Sequence, residues 1–517
     1  MNKLNMSEIQ KKDEQIVQID DKEALRKEAL TELDMSSWTA AHWRAVLVAG
    51  SGFLTDSYDN FVISLIVSII GYVYYAQGKN NGNVPGVEAA WVKAMSSWGN
   101  LVGQFAFGIM GDVYGRKKMY GVELIILIVG AIGCALAAQP ATKNFGISAI
   151  LGFWRFVLGV GVGGDYPVSG VITSEFASAK NRGTMIALVF AMQGVGFVLG
   201  TVVAIFALMA FKDSAIADPT NLDYVWRILA GFGVVPALCA VYYRLTIPET
   251  PRFAIDVEGD VAKGAASANQ FLKGGNVEAA ENVHGEVAQR KPYLQGLKEY
   301  FGKWGNLKVL IGTAMSWFLL DIGFYGTNLN TSTIVKTMGF VPTADKKKIP
   351  WENVWASAKG TAVVNLIGAL GYIFCVATVD RVGRKPLQMG GFVILTILFA
   401  IMASQFNWLT SSGGNTTFVI LYCLAQFFFN FGPNSTTFIV PAEAYPTHVR
   451  SSGHGISAAA GKLGAIFAAQ LFDPVNSGAG IQPLMYIFTG VMAGGILSTF
   501  LIPETNGKTL EELGDYE

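Results

Sequence analysis

GDVYGRKK at 111–118 and VDRVGRKP at 379–386 are two versions of one motif. Asp112, Gly115, Arg116 and Lys117 of the first recur as Asp380, Gly383, Arg384 and Lys385 of the second, 268 residues further on. The same offset carries Glu175, Arg182 and Gly183, in SEFASAKNRG at 174–183, onto Glu443, Arg450 and Ser451, in AEAYPTHVRS at 442–451. Charges that keep their spacing at one fixed offset mark an internal duplication of about half the chain. The repeats punctuate long apolar runs. Together these features predict a polytopic membrane protein with two homologous halves, and a scaffold of that kind points to transport.

Composition agrees. Hydrophobic residues make up 51% of 517 and charged residues only 15%, where soluble domains carry about 25% charged residues. The charges cluster in the first 40 residues, from 252 to 308, and in short connecting segments. A net charge of zero gives no basis for nucleic-acid binding. Cys134, Cys239, Cys375 and Cys423 are scattered through apolar segments without paired spacing, and read as small hydrophobes rather than metal or disulfide partners. Four histidines, none clustered, suggest no metal site. No Ser-His-Asp or Cys-His set is placed for nucleophilic chemistry, so neither a catalytic residue nor a cofactor is expected. Residues 1–40 are polar and mixed in charge, unlike a cleaved signal peptide, so the first span is expected to act as its own insertion signal.

A membrane-crossing helix needs about 20 mostly apolar residues. Twelve stretches qualify, at about 45–74, 89–110, 119–139, 146–170, 184–210 and 225–246, then 308–336, 353–378, 387–405, 417–440, 453–472 and 483–502. The expected fold is all-α, with two pseudo-symmetric six-helix bundles. The domains follow: a tail at 1–44, a bundle at 45–251, a polar loop at 252–307, a bundle at 308–502 and a tail at 503–517. That loop carries Glu258, Lys273, Glu281, His284, Arg290 and Lys291. The loops holding residues 116–118, 180–182, 381–385 and Arg450 share one side, and the opposite loops are poor in cations, Lys346, Lys347 and Lys348 excepted. The bias places both termini and the central loop in the cytoplasm.

In each half the Asp and its basic pair occupy a tight loop between the second and third spans. Gly111 and Gly115 permit a sharp turn, Asp112 can accept hydrogen bonds at a neighbouring helix end, and Arg116 and Lys117 hold the boundary. Glu175 with Arg182, and Glu443 with Arg450, lie seven residues apart at the cytoplasmic ends of the fourth and tenth spans. With Asp112, Arg116, Asp380 and Arg384 they read as ion-pair latches that close in one conformation and open in another. The alternative is plain positive-inside anchoring.

The GxxxDxxGRK pattern at 108–117 and its second copy resemble the hallmark of the major facilitator superfamily. PETPR at 248–252 and PETNGKTLEE at 503–512 resemble motifs of its sugar-porter branch. GGDYPVSGVITSEF at 163–176 is similar to the phosphate:proton symporters of fungi and plants. TDSYDNF at 55–61, WFLLDIGFYGTNL at 317–329 and FFFNFGPNSTTFIVPAEAYPT at 427–447 resemble the same family.

Charges inside spans cost about 2.5–3.5 kcal/mol each and mark functional paths. Those noted here are Asp56, Asp59, Glu123, Arg155, Asp165, Asp321 and Lys462. Asp56 and Asp321 are 265 residues apart, and Lys462 falls almost opposite Gln193 after the repeat shift. Symmetry thus brings Asp56, Asp165, Gln193, Asp321 and Lys462 toward the seam between halves, where substrate and coupling-ion sites lie. A proton carrier needs a carboxyl that titrates near ambient pH, and a buried carboxyl beside an anion meets that need. Beside phosphate, Asp321 must be protonated for the anion to stay. Tyr166, Tyr325, Trp317, Gln193 and Asn434 would supply neutral donors, and Lys462 the positive charge.

The resemblance implies that Tyr166, Gln193, Trp317, Asp321, Tyr325 and Asn434 line a phosphate site, that Lys462 binds substrate, and that Asp56, Asp59 and Asp165 move protons. Glu123 and Arg155 read either as a structural ion pair between the third and fourth spans or as a proton relay. GVGVGG at 159–164 lies in an apolar helix without a following Lys-Ser/Thr, and reads as helix packing rather than a nucleotide loop. Gly432–Pro433 should break the tenth span just before Asn434. Sequons begin at Asn330 and Asn415, near the outer face. The expected function is proton-coupled import of inorganic phosphate across the cell-surface membrane by alternating access. A glycerophosphodiester or other organic-anion symporter, or a transporter-like phosphate sensor, would share the scaffold.

Overall fold

The computed structural model describes residue 27 and residues 30–76, 82–140, 145–273, 292–339, 349–514 and 516. Lys346, Lys347 and Lys348, like Glu281, His284, Arg290 and Lys291 of the central loop, lie outside the described residues. Within them, all regular structure is helical. Among the described residues, ten helical stretches are long and apolar enough to cross a membrane. They supply span 1 (Ala40–Tyr74), span 3 (Arg116–Leu136), span 4 (Ile147–Phe176), span 5 (Arg182–Ala210), span 6 (Pro219–Thr246), span 7 (Trp304–Asn328), span 8 (Pro350–Val382), span 9 (Arg384–Ser404), span 10 (Asn415–Ala444) and span 11 (Arg450–Ala479). Gly86–Tyr114 and Gln482–Thr499 occupy the places of spans 2 and 12. Span 2 is diluted by Glu88, Lys93, Asn100, Gln104 and Asp112, and span 12 opens on Gln482 and Pro483, which lowers the apolar content of both.

Span 10 breaks as its sequence requires. Asn415–Phe431 ends before Gly432, and Pro433–Ala444 starts anew, because proline supplies no N–H and its ring clashes with the preceding turn. Span 6 breaks similarly at Gly233, between Leu222–Phe232 and Val234–Thr246.

Packing repeats the duplication. Spans 2 and 4, 1 and 5, and 3 and 6 pack together in the first half; spans 8 and 10, 7 and 11, and 9 and 12 do so in the second. The halves meet where span 2 packs on span 11 and span 5 on span 8. Glycines make the span 2–span 4 contact close: a methyl on Gly99, Gly103, Gly159 or Gly163 would strike the facing backbone. The GVGVGG run is therefore a packing surface. Gly115 and Gly383, at φ 98° and 96°, turn the chain between spans 2 and 3 and between spans 8 and 9. A side chain would resist that left-handed backbone. The face bearing these two loops is called the basic face below.

Candidate functional site

Two groups of buried polar side chains line the seam between the halves. The central one begins with Asp56 of span 1. Its Oδ2 accepts from the Tyr166 hydroxyl of span 4 at 2.6 Å, and its carboxylate also accepts from the Asn60 amide. Gln193 of span 5 donates to the Tyr166 hydroxyl at 2.9 Å and accepts from the Tyr372 hydroxyl of span 8 at 3.0 Å. Asn434, just past the span 10 break, donates to Tyr372 at 2.8 Å and to Asn430 at 2.8 Å. One hydrogen-bonded row thus crosses both halves. Lys462 of span 11 stands beside it, with its ammonium over the Tyr166 ring at 4.9 Å and the Tyr325 ring at 4.4 Å. It donates to the Tyr325 hydroxyl at 2.7 Å and pairs with Asp321 Oδ2 at 3.4 Å. Asp321, Tyr325 and Lys462 are all buried.

Aromatic rings close this group toward the basic face. Phe53, Phe190 and Phe438 contact one another at centroid distances of 5.5, 5.0 and 4.6 Å, and each touches Tyr166. Trp317 joins them, 6.1 Å from Tyr166 and 6.3 Å from Phe438. On their own helices Phe53, Phe190, Trp317 and Phe438 each lie three or four residues from Asp56, Gln193, Asp321 and Asn434 respectively, always on the basic-face side.

The seven residues expected to meet substrate therefore converge, and Tyr372 joins them. Nothing in its local sequence singled it out, since a tyrosine in an apolar span reads as packing. The remaining acids separate from this group. Asp165 faces into the first half, pairing with Arg244 of span 6 at 2.8 Å and accepting from Ser169 at 2.7 Å. Glu123 pairs with the same guanidinium at 2.5 Å. This corrects two expectations. Asp165 does not join the seam row, and Glu123 is not the partner of Arg155. Arg155 donates instead to the Val92 carbonyl at 2.9 Å and the Asp59 carbonyl at 3.4 Å. The reason is reach. Arg244 comes from span 6, which packs on span 3, and can neutralise two acids at once. Asp59 sits against Gly233 at the span 6 break, and its Oδ2 makes no hydrogen bond.

The second group lies at the basic face, and its ion pairs are swapped relative to the expectation. Glu175 pairs with Arg450 of the other half at 2.8 Å and with Arg116 of its own at 3.3 Å. Glu443 pairs with Arg182 of the other half at 3.1 Å and with Arg384 of its own at 2.8 Å. Residues seven apart in sequence are not partners, because a turn separates spans 4 and 5 and the start of span 5 reaches across the seam. Asp112 and Asp380 act alike. Asp112 accepts from the Ser451 and Ser452 N–H groups at 3.2 and 2.8 Å, at the start of span 11. Asp380 accepts from the Thr184 N–H at 2.7 Å, at the start of span 5. Each carboxylate thus caps a helix N-terminus in the opposite half, where unpaired N–H groups and the helix dipole favour an anion. Glu249 and Glu504 of the two PET motifs cap the starts of spans 3 and 9. Arg252 adds a further tie, at 2.9 Å from Asp34 and 2.8 Å from Glu511. Burial opposes ionisation of Glu511, but the Arg252 guanidinium overrides it and holds the carboxyl below its ordinary value.

The opposite face is bridged more sparsely. Lys93 of span 2 donates to Asn330 Oδ1 at 2.8 Å and pairs with Asp473 of span 11 at 3.3 Å. Trp351 donates to the Leu208 carbonyl at 2.9 Å. Asn330 is buried, with its amide nitrogen donating to the Gly326 carbonyl at 3.0 Å, so its sequon offers no accessible acceptor. Lys93 and Arg244 do not stand out in the sequence, because cations near span ends ordinarily extend to the membrane surface.

The family model for sugar (and other) transporters matches residues 45–515. A repressible high-affinity phosphate permease of Neurospora crassa is 41% identical, over 96% of this chain and 91% of its own. The inorganic phosphate transporter PHO84 of Saccharomyces cerevisiae is 40% identical, over 96% and 88%. A probable inorganic phosphate transporter of Oryza sativa subsp. indica is 39% identical, over 94% of each. Among solved structures, the proton:xylose symporter XylE of the major facilitator superfamily superposes with a TM-score of 0.71 at 21% identity, covering 92% of this chain and 98% of its own. The chain belongs to the sugar (and other) transporter family, shares the fold of a major facilitator superfamily symporter, and is an integral membrane transporter rather than an enzyme.

Proposed function

We propose that the chain is a proton-coupled importer of inorganic phosphate, working by alternating access between its two halves. The observation that carries this reading is Lys462, a buried cation held between Asp321 and Tyr325 at the edge of a row of neutral donors. A phosphate anion is compact and rich in acceptor oxygens, and suits one cation surrounded by phenol and amide groups. Neutral donors bind it without holding it too tightly for release. The names of the fungal and plant relatives support the same cargo.

Coupling follows from competition for one cation. Without cargo, Asp321 neutralises Lys462. When phosphate arrives, the ammonium turns to it, and Asp321 loses its counter-ion beside a second negative charge. The carboxyl can stay there only with a proton, and then donates a hydrogen bond to the anion. Release runs backwards: the proton departs, Asp321 reclaims Lys462, and like charges repel the phosphate. Asp56 is linked to the same site through Tyr166. Asp59, Arg155 and the Glu123–Asp165–Arg244 cluster, set apart from the row inside the first half, would carry the proton onward.

The basic face is the cytoplasmic one, with both termini on that side, in the plasma membrane. There Asp112, Arg116, Glu175, Arg182, Asp380, Arg384, Glu443 and Arg450 form the latch, which parts when cargo leaves inward. Lys93, Asn330 and Asp473 close the outer end. Bridges at both ends make this conformation an occluded intermediate.

Radiolabelled phosphate counterflow in proteoliposomes tests the assignment, with glycerophosphodiesters as competitors and an imposed pH gradient as the driving arm. Counterflow of glycerophosphodiesters in preference to phosphate would replace phosphate as cargo. Phosphate binding without flux would replace transport with sensing.

A further inference from the structure

One buried side chain on the basic side of the central group has no part in the mechanism above. His454 of span 11 is wholly buried, and its ring nitrogens find only backbone groups of Phe438 and of His454 itself, in a geometry short of an ordinary hydrogen bond. That is rare, since a buried polar group gives up its water and most find a replacement partner. The ring packs edge-on against Phe438 at 5.1 Å and Trp317 at 5.7 Å. Apolar neighbours of that kind would be served by phenylalanine at no such cost.

Its position supplies the reason. On span 11, His454 is four residues from Arg450 of the latch and eight from Lys462 of the central group, about 6 and 12 Å along the helix. Across the seam it faces span 4: a methyl on Gly170 would stand 3.0 Å from His454 Nε2. Gly170 in turn lies four residues after Tyr166 and five before Glu175. Both helices therefore set the imidazole between the anion donors and the latch, against the aromatic layer. One turn closer to the latch, the buried Ser451 hydroxyl also lacks a hydrogen-bond partner.

We propose that His454 is a second, transient binding position for the transported anion, occupied after the Phe53–Phe190–Phe438 layer parts and before the latch releases it. This rests on the phosphate reading and adds a stage to it. The chemistry fits dihydrogen phosphate. A neutral imidazole offers one N–H donor and one lone pair, and this anion carries both acceptor oxygens and P–OH donors. Ser451 would receive the anion next. A fully ionised anion such as sulfate lacks the donor half of that match.

Two variants separate a binding role from packing. His454→Phe keeps an aromatic ring against Phe438 and Trp317 but has no polar atom. His454→Gln keeps a donor and an acceptor but loses the ring. Purified full-length protein is assayed for phosphate binding by calorimetry in detergent and for phosphate exchange in proteoliposomes. The expected result is that His454→Phe binds phosphate within about twofold of wild type yet exchanges it about tenfold more slowly, while His454→Gln exchanges within about threefold of wild type. Exchange by His454→Phe at the wild-type rate would overturn the proposal, as would equal impairment of both variants. Wild-type protein that exchanges no phosphate would instead remove the phosphate reading, and this proposal with it.

Discussion

Replacing Asp321 with asparagine removes the carboxylate paired with Lys462 at 3.4 Å and leaves every other central donor in place. The amide cannot release a proton, so phosphate would still enter but nothing would couple it to a gradient. Each proton coupled makes one pH unit worth about 1.4 kcal/mol, or about tenfold in accumulation. In proteoliposomes with the membrane potential clamped, wild type should concentrate phosphate about tenfold per pH unit for each coupled proton, whereas Asp321→Asn should equilibrate to a ratio of about one. The substitution also strands a buried ammonium, at a cost of about 3–5 kcal/mol when one partner of such a pair is lost. Phosphate supplies the missing anion, so it should raise the Tm of Asp321→Asn more than that of wild type. Phosphate exchange at equal pH serves as the check that the variant is folded. Accumulation by Asp321→Asn at the wild-type ratio under the same gradient would refute the counter-ion exchange.

Tyr372→Phe cuts the link between Gln193 and Asn434 and leaves two buried amides each short of a partner, at about 1–3 kcal/mol apiece. Its KM for phosphate uptake, measured on the folded fraction, should rise about tenfold or more, and its protein level should fall. Glu443→Gln weakens the cross-half bond to Arg182 and should open the basic face, whereas Lys93→Met should open the opposite one. Thiol labelling of single cysteines set near each face should therefore change in opposite directions in the two variants. Asn330→Gln should leave the electrophoretic mobility of protein made in a glycosylating host unchanged, because the buried Asn330 side chain already bonds Lys93 and the Gly326 carbonyl. A mobility shift on that substitution would contradict the buried position.

The duplication, the helical spans, the break at Gly432–Pro433 and the buried charges Asp56, Asp321 and Lys462 were legible in the linear chain. Each depends on local physics: apolar length, proline's missing donor, glycine's tolerance of positive φ, or a charge retained inside an apolar run. Pairing was a different matter. Glu175 and Arg182 are near neighbours in sequence, yet Glu175 meets Arg450, 275 residues away, because the halves interleave at their seam. Glu123 takes Arg244 rather than Arg155 because span 6 packs on span 3, and no spacing along the chain encodes that contact. Tyr372 and His454 look like ordinary buried residues until their surroundings are known. Local chemistry names which groups are costly to bury; only helix packing decides which of them share that cost, since the partners come from different helices, far apart in the sequence.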